Sequence, residues 1–276
     1  MTTETVRRAP AAESPLPTSL RMPDRLPPSD PSRGVPFGRL VRVELRKMLD
    51  TRAGRWLVIA IGLVIAGALT IMFFTNGGDH PFSDYLQATT MPQAVLLPVV
   101  GILAVTSEWS QRTALVTFGL EPRRVRVAWA KLAAALLEGV GAVALSFTLG
   151  VAAYASAIGL RGIDGDWSLP GLALAGAAAY VLLGLVQGVG FGMLLRNTPA
   201  AVVAYFVLPT AWGILSSMVG LVERAGAWLD LNRTMDPLFT GSLTGEQWAQ
   251  LGTAVGVWVL LPLVLGMWRL TRAEVK

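Results

Sequence analysis

Six long apolar stretches alternate with polar segments along the chain. They cover residues 56–74, 91–106, 132–158, 170–195, 200–222 and 250–268. A helix needs about 20 apolar residues to cross the hydrocarbon core of a bilayer. Five stretches have that length, and the second reaches it if its helix begins near Asp84. None has the alternating pattern of a barrel strand, so the chain is predicted to be all-α, with six transmembrane helices within residues 56–270.

The composition fits a chain that exposes apolar side chains to lipid. Hydrophobic residues make up 53% of the sequence and charged residues 15%, and the mean hydropathy is +0.54. These values lie far from those of a soluble domain. Cysteine is absent, which excludes disulfides, zinc–thiolate sites and thiol nucleophiles.

Basic residues fall almost entirely on alternate sides of the predicted spans. With the amino terminus inside, the inner segments hold 20 of the 23 Lys and Arg residues. The outer loops hold three basic and eight acidic residues. This positive-inside pattern predicts that both termini are cytoplasmic. The net charge of +5 is then explained by membrane sidedness, and no nucleic-acid partner is expected.

Two different polar segments precede the first span. Residues 1–36 carry eight prolines among Ser, Thr, Arg and Ala, which predicts a disordered cytoplasmic tail; residues 271–276 form a second short cytoplasmic tail. Residues 37–55 instead predict an amphipathic helix on the membrane surface, in contact with lipid head groups. Its apolar face comprises Phe37, Leu40, Val41, Leu45 and Met48. It acts either as a simple topology anchor or as a connecting helix that also touches a cytoplasmic partner.

The loop between the second and third spans predicts another short helix, over residues 111–120. Leu115 and Phe118 lie one turn apart, and Gly119 and Pro122 are helix stop signals. A short helix on the cytoplasmic face is suited to receive a push from a soluble partner. The alternative is an ordinary basic inner loop.

These segments together resemble the type-2 ATP-binding cassette (ABC) permease family, the membrane subunits of a large class of exporters. The resemblance covers most of the chain after about residue 37. It is carried by Glu44-Leu45-Arg46-Lys47, Asp50-Thr51-Arg52, Glu108-Trp109, Arg112-Thr113-Ala114, Thr117-Phe118, Pro122-Arg123-Arg124 and Ala130-Lys131-Leu132.

The resemblance implies a role for each cytoplasmic segment. Residues 37–52 resemble the family's connecting helix, and residues 111–120 resemble the coupling helix that contacts the ATPase. Residues 223–250 resemble the outer region before the last span, which often contains short helices that dip into the membrane. The residues expected to couple the permease to the ATPase are Glu108, Trp109, Gln111, Arg112, Leu115 and Phe118.

The ATPase itself is not encoded in this chain. A phosphate-binding loop needs Gly-x-x-x-x-Gly-Lys-Ser/Thr, and Lys47, Lys131 and Lys276 all lack a preceding glycine. The chain is therefore expected to be a non-enzymatic subunit without a cofactor or metal. The expected partners are separate ATPase subunits that bind ATP and a second permease subunit, identical or related, in a bacterial plasma membrane.

The spans contain packing signals and a few polar residues. Gly184, Gly188 and Gly192 form a doubled Gly-x-x-x-Gly stripe, which lets helices approach closely within the subunit or across a dimer seam. Glu138 is predicted either to pair with Lys131, Gln187 or another span, or to take part in translocation. Gln187 is expected to donate or accept a hydrogen bond between helices.

Two other classes remain open from the sequence, an ion-gradient-driven secondary transporter and an intramembrane enzyme. The first should carry more ionisable groups at mid-membrane than Glu138. The second should carry a paired nucleophile and base, or metal ligands, within the spans. The one histidine, His80, lies in an outer loop, where a solvated side chain is expected.

Overall fold

The chain is predominantly helical in the part that the computed structural model describes. That part comprises residues 35–75, 80–111, 113–169, 172–220, 222–240 and 243–272. Helices make up 88% of these residues, and they contain no strand. Most of the predicted disordered tail (residues 1–34), Arg112 and residues 273–276 lie outside the described residues.

Six helices among the described residues are long and apolar enough to cross a membrane, as predicted. They are α2 (Arg52–Thr75), α3 (Phe82–Ser110), α5 (Arg124–Arg161), α6 (Ala173–Leu195), α7 (Thr198–Met218) and the pair α11 (Gly245–Val255) and α12 (Leu261–Arg272), which a π-helical turn at Gly256–Leu260 joins. The remaining helices are α1 (Phe37–Asp50), α4 (Ala114–Leu120), α8 (Glu223–Leu229), α9 (Leu231–Met235) and α10 (Pro237–Thr240).

Two helix ends differ from the prediction because an extended residue interrupts the helix, and hydropathy gives no signal of such a break. The segment 37–55 is not one helix: α1 ends at Asp50, Thr51 is extended (φ −71°, ψ 144°), and α2 begins at Arg52. The fifth span ends at Met218 rather than at residue 222, because Val219 is extended.

The third span, α5, is the longest helix of the described chain. Its 38 residues extend about 57 Å, compared with about 30 Å for a bilayer core, so its ends project beyond the hydrocarbon. Arg123 precedes the first helical residue, and the helix stops where Gly162 adopts a left-handed conformation (φ 66°). The amide of Gly162 donates to the carbonyl of Ile158 at 3.1 Å and caps this end.

The glycine stripe of α6 lies against α3 inside the subunit. A Cβ at Gly188 would collide with the backbone carbonyl of Pro98, and a Cβ at Gly192 would lie 3.2 Å from the carbonyl oxygen of Ile102. A Cβ at Gly184 would lie 3.1 Å from the Tyr205 hydroxyl of α7. The missing side chains allow α6 to pack closely at the centre of the bundle.

The segment before the last span folds into the short helices α8, α9 and α10. Leu231, Met235 and Leu238 are buried in a small apolar cluster with Leu251 and Ala254 of α11. Asp230 caps α9 by accepting from the amides at positions 232 and 233 at 3.0 and 3.2 Å. The apolar cluster therefore holds α9 and α10 against α11, which is the first part of the sixth span.

Candidate functional site

A buried cluster of four charges lies where α1, α3 and α5 meet. It consists of Glu44 and Lys47 on α1, Glu108 on α3 and Lys131 on α5, here called the four-charge cluster. Lys47 Nζ donates to Glu44 Oε1 and to Glu108 Oε1, both at 2.8 Å. Lys131 Nζ donates to Glu44 Oε2 at 2.5 Å and lies 3.0 Å from Glu108 Oε1. Each lysine thus bridges the same two carboxylates.

The cluster is neutral overall and largely removed from solvent. Glu44, Glu108 and Lys131 are 4%, 6% and 3% exposed, whereas the Lys47 side chain is 40% exposed. Burying a charge costs several kcal/mol unless an opposite charge and hydrogen bonds compensate for it. Two lysines and two carboxylates supply that compensation. Removal of any one of them would leave an uncompensated charge.

The electrostatics of Lys47 follow from this arrangement. Burial lowers the pKa of Lys47, but the carboxylates of Glu44 and Glu108 outweigh that effect. Its pKa is therefore raised above the ordinary value of 10.5, and the side chain is firmly cationic at neutral pH.

The short helix α4 joins the cluster through Thr117. The Thr117 hydroxyl donates to Glu108 Oε1 at 3.1 Å, and Lys47 Nζ donates weakly to Thr117 Oγ1 at 3.4 Å. Four helices are consequently linked at one point, although two of them, α1 and α4, are too short to span a membrane.

Aromatic and cationic contacts fix the buried side of α4. Phe118 is 9% exposed and packs on Trp109 of α3, with ring centroids 6.4 Å apart. The guanidinium of Arg124 lies 5.1 Å from the Phe118 ring, and that of Arg196 lies 4.8 Å from the Trp109 ring. Such cation–π contacts stabilise by about 0.5–1 kcal/mol each when exposed.

The opposite side of α4 is apolar and uncovered. Leu115, Val116 and Leu120 are 54%, 64% and 75% exposed, and we call these three side chains the α4 patch. Outside a lipid environment, a contiguous exposed apolar patch marks an interaction surface. α4 thus has one face packed against the spans and one apolar face that no described residue covers.

The residues predicted to couple to an ATPase differ in their exposure. Glu108 on α3 and Phe118 on α4 are buried and Trp109 is partly buried, whereas Leu115 belongs to the α4 patch. Gln111 caps the end of α3 and lies outside the short helix, which begins at Ala114 rather than at residue 111.

Sequence reasoning missed three partners of Glu108, namely Lys47, Lys131 and Thr117. One signal was available, because Glu44 lies within the apolar stripe of α1 and Lys131 stands at the start of an apolar run. A charge at a position that should be buried indicates a partner. The sequence did not reveal which charges pair, since Glu44 and Lys131 are 87 residues apart.

Of the partners considered for Glu138, Lys131 is bonded to Glu44 and Glu108 instead. Both carboxyl oxygens of Glu138 are buried without a hydrogen-bond partner in the described part of the chain. Gln187 is 2% exposed, and its Nε2 also has no partner among the described residues. His80, expected to be solvated, is partly exposed and lies 2.7 Å from Asp84 Oδ2.

No protein-family model matches this chain, and a search of curated proteins found no significant similarity. Within the described ranges, no group of three His, Asp or Glu side chains is placed to hold a metal ion. The class of protein therefore rests on the helices themselves. Six of them are consistent with a multi-pass membrane protein.

Proposed function

We propose that this chain is the permease subunit of a type-2 ABC exporter in a bacterial plasma membrane. In this proposal, separate ATPase subunits supply the energy, and a second permease subunit completes the transport path. The observation that carries the proposal is α4, a short helix between the second and third spans. One of its faces is anchored to the spans, and the other presents the α4 patch.

The anchored face makes α4 suitable for transmitting force. Thr117 contacts Glu108 near the end of the second span, and Lys131 of the third span is bonded to the same carboxylate. A displacement of α4 therefore acts on two spans and on α1 through short polar contacts. In the proposed mechanism, closure of the ATPase dimer pushes the α4 patch and reorients these spans.

The orientation that the proposal needs agrees with where the basic residues meet. Arg124 donates to the carbonyl of Leu270 at 3.4 Å, which joins the start of α5 to the end of α12. Arg269 donates to the carbonyl of Leu194 at 2.6 Å, at the end of α6. The basic segments predicted to be inside thus gather at the end of the bundle that carries α4. By the positive-inside rule we assign this end to the cytoplasm, with α1 at the membrane surface.

A charge placed on the α4 patch tests the proposal. The Leu115→Asp/Leu120→Asp double variant should lose ATPase activity that co-purifies with the tagged chain from its native host, because apolar contact area is replaced by charge. The matched control is Leu160→Asp, since Leu160 is 79% exposed but lies about 54 Å along α5 from Arg124, at the opposite end of that helix. Undiminished ATPase recovery with the double variant would contradict the assignment of α4.

An ion-gradient-driven transporter is the second candidate, because Glu138 is a buried carboxylate without a partner among the described residues. Such groups can carry a proton or bind a cation in secondary transporters. Transport in membrane vesicles separates the two candidates. An ABC permease needs ATP and tolerates a protonophore, whereas a gradient-driven carrier stops when the protonophore is added.

A further inference from the structure

A cavity of about 330 Å³ lies between α2 and α5, with α1 and α3 contributing to its walls. Its lining is almost entirely aliphatic, and Leu45, Ile61 and Leu145 represent three of the contributing helices. This volume lies at the small end of the range of about 300–1,000 Å³ for ligand pockets. The cavity therefore has room for a compact organic molecule with an apolar body.

Glu138 is the one ionisable side chain on the cavity wall, and Ser146 is the other polar one among the described residues. Both carboxyl oxygens of Glu138 are inaccessible to solvent and accept no hydrogen bond from the described chain. A buried carboxylate in that condition is costly until a cation or a proton compensates for it.

Lys131, the nearest cation along α5, cannot compensate for the charge of Glu138. Lys131 precedes Glu138 by seven residues, about 10 Å along α5, and its ammonium is already bonded to Glu44 and Glu108. Either a proton or a cation from outside the described chain must therefore compensate for Glu138. A cation that enters this cavity needs an apolar body, because the walls are aliphatic.

We propose that this cavity binds a lipophilic organic cation, with Glu138 as its counter-charge once the side chain turns from its buried position toward the cavity. The site rests on the proposed transport function in one respect, since it would give the exporter a substrate class. Its position suits coupling, because Leu45 lines the cavity and follows Glu44 of the four-charge cluster on the same helix. A shift of α1 would change the cluster and the cavity wall together.

The first test measures binding to the purified full-length chain in detergent micelles. Tetraphenylphosphonium is the probe, and tetraphenylborate is its counterpart of the same shape and opposite charge. We expect saturable binding of the phosphonium that weakens about tenfold or more in Glu138→Gln, which removes charge at nearly constant size. Glu246→Gln, an exposed acid on α11, is the control and should bind as wild type.

The borate should show no saturable binding to the wild-type protein. The proposal is overturned if the phosphonium does not bind saturably, if Glu138→Gln binds it equally well, or if the borate binds as tightly as the phosphonium. Unchanged size-exclusion profiles show that the variants remain folded.

A second pair of variants tests the location without touching the carboxylate. Gly62 lines the cavity and Gly67 does not, and a Cβ at either position meets nothing within 4 Å. Both glycines are exposed on α2. Gly62→Leu should therefore weaken phosphonium binding by obstructing the cavity, and Gly67→Leu should leave it unchanged. Equal effects of the two substitutions would place the binding elsewhere.

These measurements are independent of the ATPase. Binding is measured on the isolated chain, and ATPase capture is measured through the α4 patch. Loss of capture with intact cation binding would refute the permease proposal alone. Intact capture without cation binding would refute the cavity proposal alone.

Discussion

Removing the Lys131 ammonium should destabilise the protein more than its small size suggests. In Lys131→Met, the side chain keeps a similar length, but Glu44 and Glu108 must share Lys47 alone. The four-charge cluster then carries one uncompensated negative charge in a largely buried position. We therefore expect a loss of folding stability that a polar-to-apolar exchange at an exposed site would not produce.

The magnitude follows from the contacts that are lost and kept. Breaking a buried ion pair by removing one partner costs about 3–5 kcal/mol. Lys47 remains 2.8 Å from Glu44 Oε1 and from Glu108 Oε1, whereas Glu44 Oε2 loses its donor at 2.5 Å. Because only Glu44 Oε2 loses its hydrogen-bond donor, we expect a cost at the lower end of this range, about 3 kcal/mol.

A charge-restoring double variant separates the electrostatic cost from lost packing. Lys131→Met/Glu44→Gln leaves one lysine and one carboxylate, so the cluster is neutral again. Its stability should exceed that of Lys131→Met, although it carries one more substitution. The measurement is thermal unfolding of both variants and wild type in the same detergent, followed by circular dichroism.

Two results would refute this reasoning. A Lys131→Met protein that melts with wild type would show that the buried charge is compensated in another way. A double variant less stable than Lys131→Met would show that packing, and not charge balance, dominates at this position.

Three further predictions concern neighbouring features. Gly188→Leu should destabilise the bundle by more than about 2 kcal/mol, because its Cβ would meet the carbonyl of Pro98 and force α6 from α3, and a wild-type melting temperature would contradict this. Thr117→Val removes the hydrogen bond from the Thr117 hydroxyl to Glu108 and should lower the folding stability by about 1 kcal/mol. Thr117→Ser keeps a hydroxyl and should retain that stability, and thermal unfolding of both variants measures the difference. Because the pKa of Lys47 is raised, its charge stabilises the folded protein fully below pH 10.5, and this stabilisation is lost as the pH rises through the raised pKa. The melting temperatures of wild type and Lys47→Gln should therefore converge only above pH 10.5. Convergence near neutral pH would refute this.

Hydropathy predicted all six spans, because each apolar run has the length that a bilayer imposes. It placed their ends less well, since polar residues such as Arg52 and Arg124 continue the helices without an apolar signal. The short helix after the second span was also predicted, although it begins three residues later than expected, at Ala114.

Hydropathy and periodicity were enough to predict an all-helical chain with six membrane-length helices, and the sidedness of its basic residues predicts its orientation. The pairing of the charges depends on tertiary packing. Lys131 forms ion pairs with Glu44 and Glu108, which lie 87 and 23 residues away in sequence, and not with Glu138 on its own helix. Helical spacing puts Lys131 and Glu138 on the same face of α5, about 10 Å apart along its axis, but pairing depends on which distant helices pack against that face. That packing placed Glu138 on the wall of an apolar cavity without a hydrogen-bond partner among the described residues, and it holds one face of α4 against the spans.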